Sequence, residues 1–168
     1  RIERLQRSGV RVVLLPFHPG LGGLLAGHKT LDYLTAMVGK RIAARRRAFE
    51  GIYTAPTGEI FEGTTANLFL VDGRSLLTPP LRSGVLPGIT RELVMRRARG
   101  LGVTVREERL FPRHVQRAGE AFLTASTIGV MPIRQIGHRH LRGGVGLLTR
   151  KLQRLLAPRP VRARFARQ

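Results

Sequence analysis

The sequence predicts a single mixed α/β domain with curled, largely antiparallel sheets and flanking helices. Its 168 residues with 42% hydrophobic content are enough for one domain with a real core. Segments with strand patterning outnumber those with helical patterning, and the two kinds are interspersed along the chain. No internal repeat is visible. These three observations together predict the fold class.

The first third of the chain has the pattern of a strand, a loop and a helix. Residues 10–15 (VRVVLL) form an apolar run typical of a buried strand. Residues 16–27 have the glycine and proline content of a loop, and its length indicates a functional connection. Lys29 lies at the start of a predicted helix that begins at Thr30. Its apolar residues recur at spacings of three and four and share one face: Leu31, Leu34, Val38 and Ile42.

The rest of the chain alternates between strand and helix patterns. Residues 52–80 contain β-favouring runs separated by the turns TGE and VDGRS. Residues 86–102 predict a helix, because Pro87 and Gly88 precede it and GLG ends it. The remaining predictions are strands over 103–110, 120–126 and 131–136, a short helix over 112–118, a turn over 138–144 and a closing amphipathic helix over 145–157.

The formal net charge of +20 raises nucleic acid as a partner. The arginines are spread through helices, loops and the tail, however, and aromatic residues make up only 5% of the chain. A single-strand binder would interleave stacking aromatics with its charges. We therefore interpret the charge as a solvated basic surface, and a non-catalytic nucleic-acid-binding fragment is kept as an alternative.

The composition excludes several kinds of site. Without cysteine, the chain has no disulfide, thiolate metal site or cysteine nucleophile. His138 and His140 have no third ligand near them in sequence, and His18 and His28 are interpreted as loop histidines, so no metal site is expected. The apolar runs are far shorter than a membrane span.

Lysine is rare here, which draws attention to Lys29. Of 30 lysines and arginines, only Lys29, Lys40 and Lys151 are lysines. A primary amine can condense with an aldehyde, whereas a guanidinium stays protonated and does not. Lys29 in its glycine-rich approach loop has the chemistry that such condensation requires. The alternative is that Lys29 is an ordinary surface lysine. Lys29 alone does not distinguish the two, so the residues that accompany it are needed.

Three further groups have the chemistry that a phosphorylated pyridine aldehyde requires. Ile89 and Thr90 open a predicted helix, whose first N–H groups favour an anion, although Thr90 is equally explained as a helix cap. The hydroxyls of 124–127 (TAST) follow a strand and suit the other side of a phosphate. Glu62 is a carboxylate suited to a pyridine nitrogen, or simply an exposed strand residue.

Four segments, in this order, resemble the class IV aminotransferases, the fold-type IV pyridoxal-phosphate enzymes: HKTLDYL, EGTTANLFLV, LPGITREL and FLTASTIGVMPI. This family includes branched-chain aminotransferases, D-amino acid aminotransferases and 4-amino-4-deoxychorismate lyases. The resemblance runs from about Leu25 to Leu156. Each motif is weak alone, but all four together form a specific pattern.

The resemblance implies a role for each matching residue. Lys29 is the Schiff-base lysine and proton shuttle, and Glu62 pairs with the ring nitrogen of pyridoxal 5′-phosphate. Asn67 is similar to a structural asparagine of the family. The remaining cofactor contacts are the ring-packing Leu86, and Ile89, Thr90, Ser126 and Thr127 around the phosphate.

Two positions depart from the family pattern. Asp32 stands where many relatives have asparagine, and a carboxylate there would raise the pKa of Lys29 if it pointed inward. Gly129 replaces a glutamate that is common among the aminotransferases, and GVMPI is more similar to the lyases. The reaction subclass therefore stays open.

The family also implies a domain organisation. Residues 1–24 are expected to be the end of a missing N-terminal domain with the interdomain linker, 25–157 the larger cofactor-binding domain, and 158–168 a basic tail. The expected activity is transfer of an amino group between an amino acid and a 2-keto acid, by a cytoplasmic homodimer. A lyase, or a truncated relative that binds cofactor weakly without catalysis, is the alternative.

Overall fold

The structure, a computed structural model, describes residues 2–17, 24–141 and 144–157. His18 and the expected tail at 158–168 therefore lie outside the described residues. The helices are α1 (Ile2–Ser8), α2 (Leu34–Arg45), α3 (Ile89–Gly100), α4 (Pro112–Arg117) and α5 (Leu147–Leu156), with a 3-10 turn at Leu81–Ser83. The strands are β1 (Val10–Leu15), β2 (Glu50–Thr54), β3 (Ile60–Gly63), β4 (Asn67–Asp72), β5 (Ser75–Thr78), β6 (Thr104–Glu107), β7 (Glu120–Ala125), β8 (Gly129–Ile136) and β9 (Arg139–His140).

The described strands form one mixed sheet in the order β3-β2-β1-β8-β7-β4-β5-β6, with β9 paired to β8. Strand β1 runs parallel to both β2 and β8, and β5 runs parallel to β6. The other five pairings are antiparallel. The mixed α/β class and the largely antiparallel pairing are thus confirmed, in one continuous curled sheet.

Both faces of this sheet are covered, which explains its continuous apolar strands. In β4, Leu68 and Leu70 belong to one core while Phe69 and Val71 belong to the core beneath α3 and α5. A third core packs α2 against β1 and β2. The rings of Phe69 and Phe122 stack with centroids 5.0 Å apart inside the core beneath α3 and α5.

Helix α2 differs from its prediction in both start and orientation. It begins at Leu34, since the carboxylate of Asp32 accepts the Leu34 N–H at 3.1 Å and ends the preceding loop there. The buried side of α2 is formed by Gly39 and Ala43, because the sheet approaches too closely for larger residues. Three residues of the predicted apolar stripe are exposed: Leu34 by 71%, Val38 by 46% and Leu31, outside the helix, by 98%. The fourth, Ile42, is partly buried and packs against the third core.

The remaining elements agree with prediction to within a few residues, with one exception. The predicted turn at 138–144 contains the short strand β9, whose residues pair with Gln135 and Ile136. Gly137, at a φ of 57°, makes the tight reversal between the two strands. Among the described helices, none has the length and apolar character needed to cross a bilayer.

The stacked phenylalanines provide a test of the core. Phe69→Ala should lower the free energy of unfolding by about 3–5 kcal/mol, because it leaves a cavity opposite the Phe122 ring. Urea denaturation followed by circular dichroism measures this loss. Leu147→Ala, at a residue that is 86% exposed, is the control and should change stability by only about 0.5 kcal/mol. Equal effects of the two substitutions would contradict the assignment of Phe69 to the core.

Candidate active site

The Glu62 carboxylate is the centre of a hydrogen-bonded cluster. It lies on β3, partly buried, and its Oε1 accepts the backbone N–H of Leu86 at 3.0 Å. Its Oε2 accepts the side-chain amide of Asn67 at 2.9 Å. The same amide donates to the Leu86 carbonyl at 2.8 Å, so Asn67 holds both partners. Asn67 therefore positions Glu62 and Leu86 relative to each other, and Glu62 is not a freely exposed strand residue.

Burial raises the pKa of Glu62 to about 7. The Leu86 N–H, the positive charge of Arg91 and the Asn67 amide act in the opposite direction and favour the ionised form. Arg91 is itself buried and donates to Glu107 at 2.7 Å and to the Pro79 carbonyl at 3.0 Å. Glu62 is therefore a carboxylate that a cationic partner would ionise readily near neutral pH.

The loop that carries Lys29 packs against the turn leading into Leu86. A Cβ at Gly27 would lie 3.4 Å from the Val85 carbonyl, and one at Gly84 would lie 3.1 Å from the Ala26 Cβ. Both glycines have positive φ, near 75° and 79°, which favours glycine there. The structure thereby brings the Lys29 loop to the segment whose backbone binds Glu62.

The amine of Lys29 is exposed and donates to the Tyr33 hydroxyl at 2.8 Å. The Asp32 carboxylate, which would raise the lysine pKa if it pointed inward, faces the start of α2 instead. Tyr33 was missed by sequence reasoning. Its signal was present in HKTLDYL, where a phenol follows the lysine by four residues.

The backbone donors predicted at 89 and 90 lie at the start of α3. Gly88 is the residue before the first helical residue, so Ile89 and Thr90 occupy the first two helical positions. N–H groups at these positions have no intrahelical acceptor. Ile89 is 72% exposed and Thr90 is partly buried. Because Gly88 occupies the cap position, the simple interpretation of Thr90 as the helix cap is wrong.

Gly88 also has to be a glycine for the Glu62 cluster to form. A Cβ there would lie 2.2 Å from Asn67 Oδ1, closer than any real contact. The start of α3 therefore packs directly on the asparagine that holds Glu62.

Ser126 and Thr127 lie exposed in the turn between β7 and β8. Across the β4–β7 ladder Asn67 pairs with Thr124, so β7 ends at the edge of the sheet where β4 begins. The predicted hydroxyl turn and the Glu62 cluster thus share one edge of the sheet. Thr124 itself is 1% exposed, and its hydroxyl has no partner among the described residues.

A second buried carboxylate, missed by sequence reasoning, supports the turn between β3 and β4. Glu50 is fully buried, and its carboxylate binds the Lys40 amine at 2.6 Å and the Thr64 hydroxyl at 2.6 Å. Its backbone neighbour Gly51 donates to it at 2.9 Å. Only the two adjacent threonines of EGTTAN indicated a hydroxyl cluster there. Lys40 is therefore committed to an ion pair, whereas Lys29 is bonded to a neutral hydroxyl.

Among the described residues, no group of three or more histidine, aspartate and glutamate side chains could hold a metal ion. His138 and His140 are exposed. The expectation that the chain has no metal site is left as a prediction.

Comparison with known proteins gives a consistent picture. The family model described as amino-transferase class IV matches residues 3–136. The branched-chain-amino-acid aminotransferase of Escherichia coli K12 is 35% identical over 123 residues, which cover 73% of this chain and 40% of that protein. The aminodeoxychorismate lyase of Bacillus subtilis is 31% identical over 127 residues, covering 76% and 43%.

The structural match extends over nearly all of the fold. The branched-chain aminotransferase of Thermobaculum terrenum, in its pyridoxal-phosphate form, superposes with a TM-score of 0.84 at 28% identity. The match covers 91% of this chain and 52% of that one. The chain thus spans about 40% of the length of the curated relatives it matches. With a family model covering most of its residues, the chain belongs to the class IV aminotransferases.

Proposed function

We propose that the chain is the cofactor-holding part of a pyridoxal-phosphate-dependent aminotransferase, which transfers an amino group between an amino acid and a 2-keto acid. One observation carries the proposal: a partly buried carboxylate, Glu62, is fixed by Leu86 and Asn67 beside the loop that presents Lys29. Carboxylate and amine are the two groups that pyridoxal-phosphate chemistry requires of the protein. The relatives named above support the same activity.

The residues present fit this cofactor. The Lys29 amine is accessible to an aldehyde, whereas the Lys40 amine is held by buried Glu50. Glu62 would face the pyridine nitrogen, and Leu86 would pack on the ring. The N–H groups of Ile89 and Thr90, the Thr90 hydroxyl, and the Ser126 and Thr127 side chains would hold the phosphate. A helix start is a natural anion site, which supports this assignment.

When bound, pyridoxal phosphate supplies an electron-accepting ring that stabilises negative charge on the substrate α-carbon. The chain's own residues then have three tasks. Glu62, ionised by a cationic partner, holds a proton on the ring nitrogen. The Lys29 amine would remove the α-proton of the substrate and deliver it to the carbon that receives the amino group. The Tyr33 hydroxyl, 2.8 Å from the Lys29 Nζ, orients the amine between these steps.

A lyase that releases pyruvate from an aminodeoxychorismate-type substrate is the second candidate. Gly129 favours it, because it stands where many aminotransferases of the family have a glutamate and because GVMPI is more similar to the lyases. The Bacillus subtilis relative carries the corresponding activity in its name.

An exposed apolar surface supports a homodimer. We define this apolar surface by six residues beside Lys29 and on α2, whose side chains are 46–99% exposed: Leu24, Leu25, Leu31, Leu34, Met37 and Val38. Several exposed apolar side chains on neighbouring segments are typical of a surface that another protein covers. We propose a second copy of the chain as that protein, in a cytoplasmic enzyme acting on branched-chain or D-amino acids.

The two activities are separated by their products. We expect the chain, supplied with pyridoxal phosphate, to transfer the amino group of a branched-chain amino acid to 2-oxoglutarate, without releasing pyruvate from aminodeoxychorismate. Chromatography of glutamate and an enzymatic pyruvate assay measure the two. Pyruvate release alone would establish the lyase. Cofactor binding without either product would show that these residues bind but do not catalyse.

Lys29→Ala should abolish covalent capture of the cofactor, because no other lysine is proposed to meet the aldehyde. The measurement is borohydride reduction of the chain with pyridoxal phosphate, followed by mass spectrometry of the labelled peptide. Lys151→Ala, in α5, is the matched control and should be labelled as the unsubstituted chain is. A label on Lys40 or Lys151 in the unsubstituted chain would contradict the site.

Glu62→Gln should change the pH dependence of stability in the absence of cofactor. The pKa of Glu62 is raised to about 7, so its contribution to stability is present below pH 4.5 and lost as pH rises through 7. Relative to the variant, the unsubstituted chain should therefore lose stability on the order of 3 kcal/mol between those limits. Urea denaturation across pH 4–8 measures this difference.

Glu92→Gln, on the exposed side of α3, controls for the loss of one carboxylate. Saturating pyridoxal phosphate should reverse the order of stability at pH 8, because a pyridinium stabilises ionised Glu62. If the curves of the unsubstituted chain and Glu62→Gln run parallel with pH, the Glu62 carboxylate is not the buried group described here.

A further inference from the structure

A second cavity, of about 760 Å³, shares none of its lining residues with the Lys29–Glu62 cluster. Its basic lining consists of Arg11, Arg46, His138 and Arg139, and its apolar wall includes Ile60 and Ile136. No aspartate or glutamate is among the described residues that line it. We refer to it below as the arginine cavity.

The arginine cavity opens because β1 and β8 separate. Their last pair joins Val12 to Ile136, and the Gly137 N–H still donates to the Val12 carbonyl at 2.9 Å. After Gly137 the chain reverses into β9, while β1 continues to Leu15. The space between the diverging strands is walled by α4 on the other side. It is thus a consequence of the sheet topology and not of a mobile loop.

Arg11 is the strongest indication of a ligand. One of its terminal nitrogens, Nη1, donates to the Arg46 carbonyl at 3.0 Å, which holds the guanidinium in place. Its Nε is buried and has no hydrogen-bond partner among the described residues. A buried donor without an acceptor is costly, and a guanidinium that keeps its charge calls for an anion.

Arg139 faces the same space from β9. Its Nε donates to the Val115 carbonyl at 3.2 Å and its Nη2 to the Gln116 carbonyl at 2.5 Å. These bonds fix the side chain against α4 and use two of the five N–H donors of a guanidinium. The remaining donors are available to an acceptor, so the cavity is lined by two guanidinium groups that hydrogen bonds hold in place.

We propose that the arginine cavity binds a small organic anion, with a carboxylate or phosphate on Arg11 and Arg139 and an apolar body against Ile60 and Ile136. The volume lies within the range of small-molecule sites, and a lining of apolar walls with a few convergent polar groups is typical of them. Planar guanidinium groups bind both oxyanions in paired hydrogen bonds, so a carboxylate or a phosphate would suit Arg11 and Arg139.

The test titrates the 168-residue chain with phenyl phosphate, benzoate and inorganic phosphate at constant ionic strength. Calorimetry gives affinities, and amide NMR shifts locate the site. We expect phenyl phosphate or benzoate to shift the signals of Val13, Gly137 and His138 and to bind more tightly than inorganic phosphate. Which of the two binds more tightly identifies the charged group. Shifts confined to Ile89, Thr90 and Ser126 would place the anion at the other site and overturn the proposal.

Arg11→Gln and Arg139→Gln should each weaken phenyl phosphate binding by roughly tenfold or more. Arg97→Gln, on the exposed face of α3, is matched in charge and should leave the affinity unchanged. If all three variants lose affinity equally, binding reflects the net charge of +20 and the proposal fails. Arg139→Gln and the NMR map decide the question even if Arg11→Gln fails to fold. Capture of pyridoxal phosphate on Lys29 is measured separately. A negative result for the arginine cavity therefore does not contradict the proposed cofactor site, and the reverse also holds.

Discussion

The fixed carboxylate of Glu62 is the constraint on which the candidate site depends. Removing a carboxylate from water is costly unless donors replace the lost hydration, and here the Leu86 N–H and the Asn67 amide do so. Because these donors come from β4 and from the turn before α3, the carboxylate ties three segments of the chain together. The close approach of Gly88 to Asn67 completes the arrangement, since no side chain fits between them.

A second set of contacts, between α2, Thr64 and Glu50, positions the Lys29 loop relative to Glu62. Helix α2 follows Lys29 and packs through Gly39, whose Cβ would lie 2.6 Å from the Thr64 methyl. Buried Glu50 holds the Thr64 hydroxyl from beneath and takes its counter-charge from Lys40. Burial, and then the charges of Glu50 and Glu62, raise the pKa of Tyr53 to about 12. Two lysines near one sheet edge thus have different roles, which are set by their partners.

Features that lie within short segments of the chain could be predicted from the sequence. Contacts between residues far apart in sequence could not. Lys29, Glu62 and the start of α3 lie within short motifs, so residue type and order were enough to select them as candidates. The partners of Glu50 could not, because Lys40 and Thr64 meet it only through the packing of α2 on β2 and β3. The predicted start of α2 at Thr30 failed for a local reason, the Asp32 side chain, which spacing rules do not consider. Three of the four residues in the predicted apolar stripe are exposed, because close packing at Gly39 places the glycine side of α2 against the rest of the fold.

The exposed amine of Lys29 suits the proposed capture of the cofactor but not the proton transfer that turnover requires. The groups proposed for the ring nitrogen and phosphate are held by hydrogen bonds and packing within this chain alone. The amine side is open to water and bordered by the apolar surface around Leu31 and Leu34. Charge interactions weaken in water, so proton transfer at the lysine gains most from a cover that excludes solvent. The proposed cofactor contacts therefore all lie within this chain, whereas the dry environment for proton transfer depends on what covers the apolar surface.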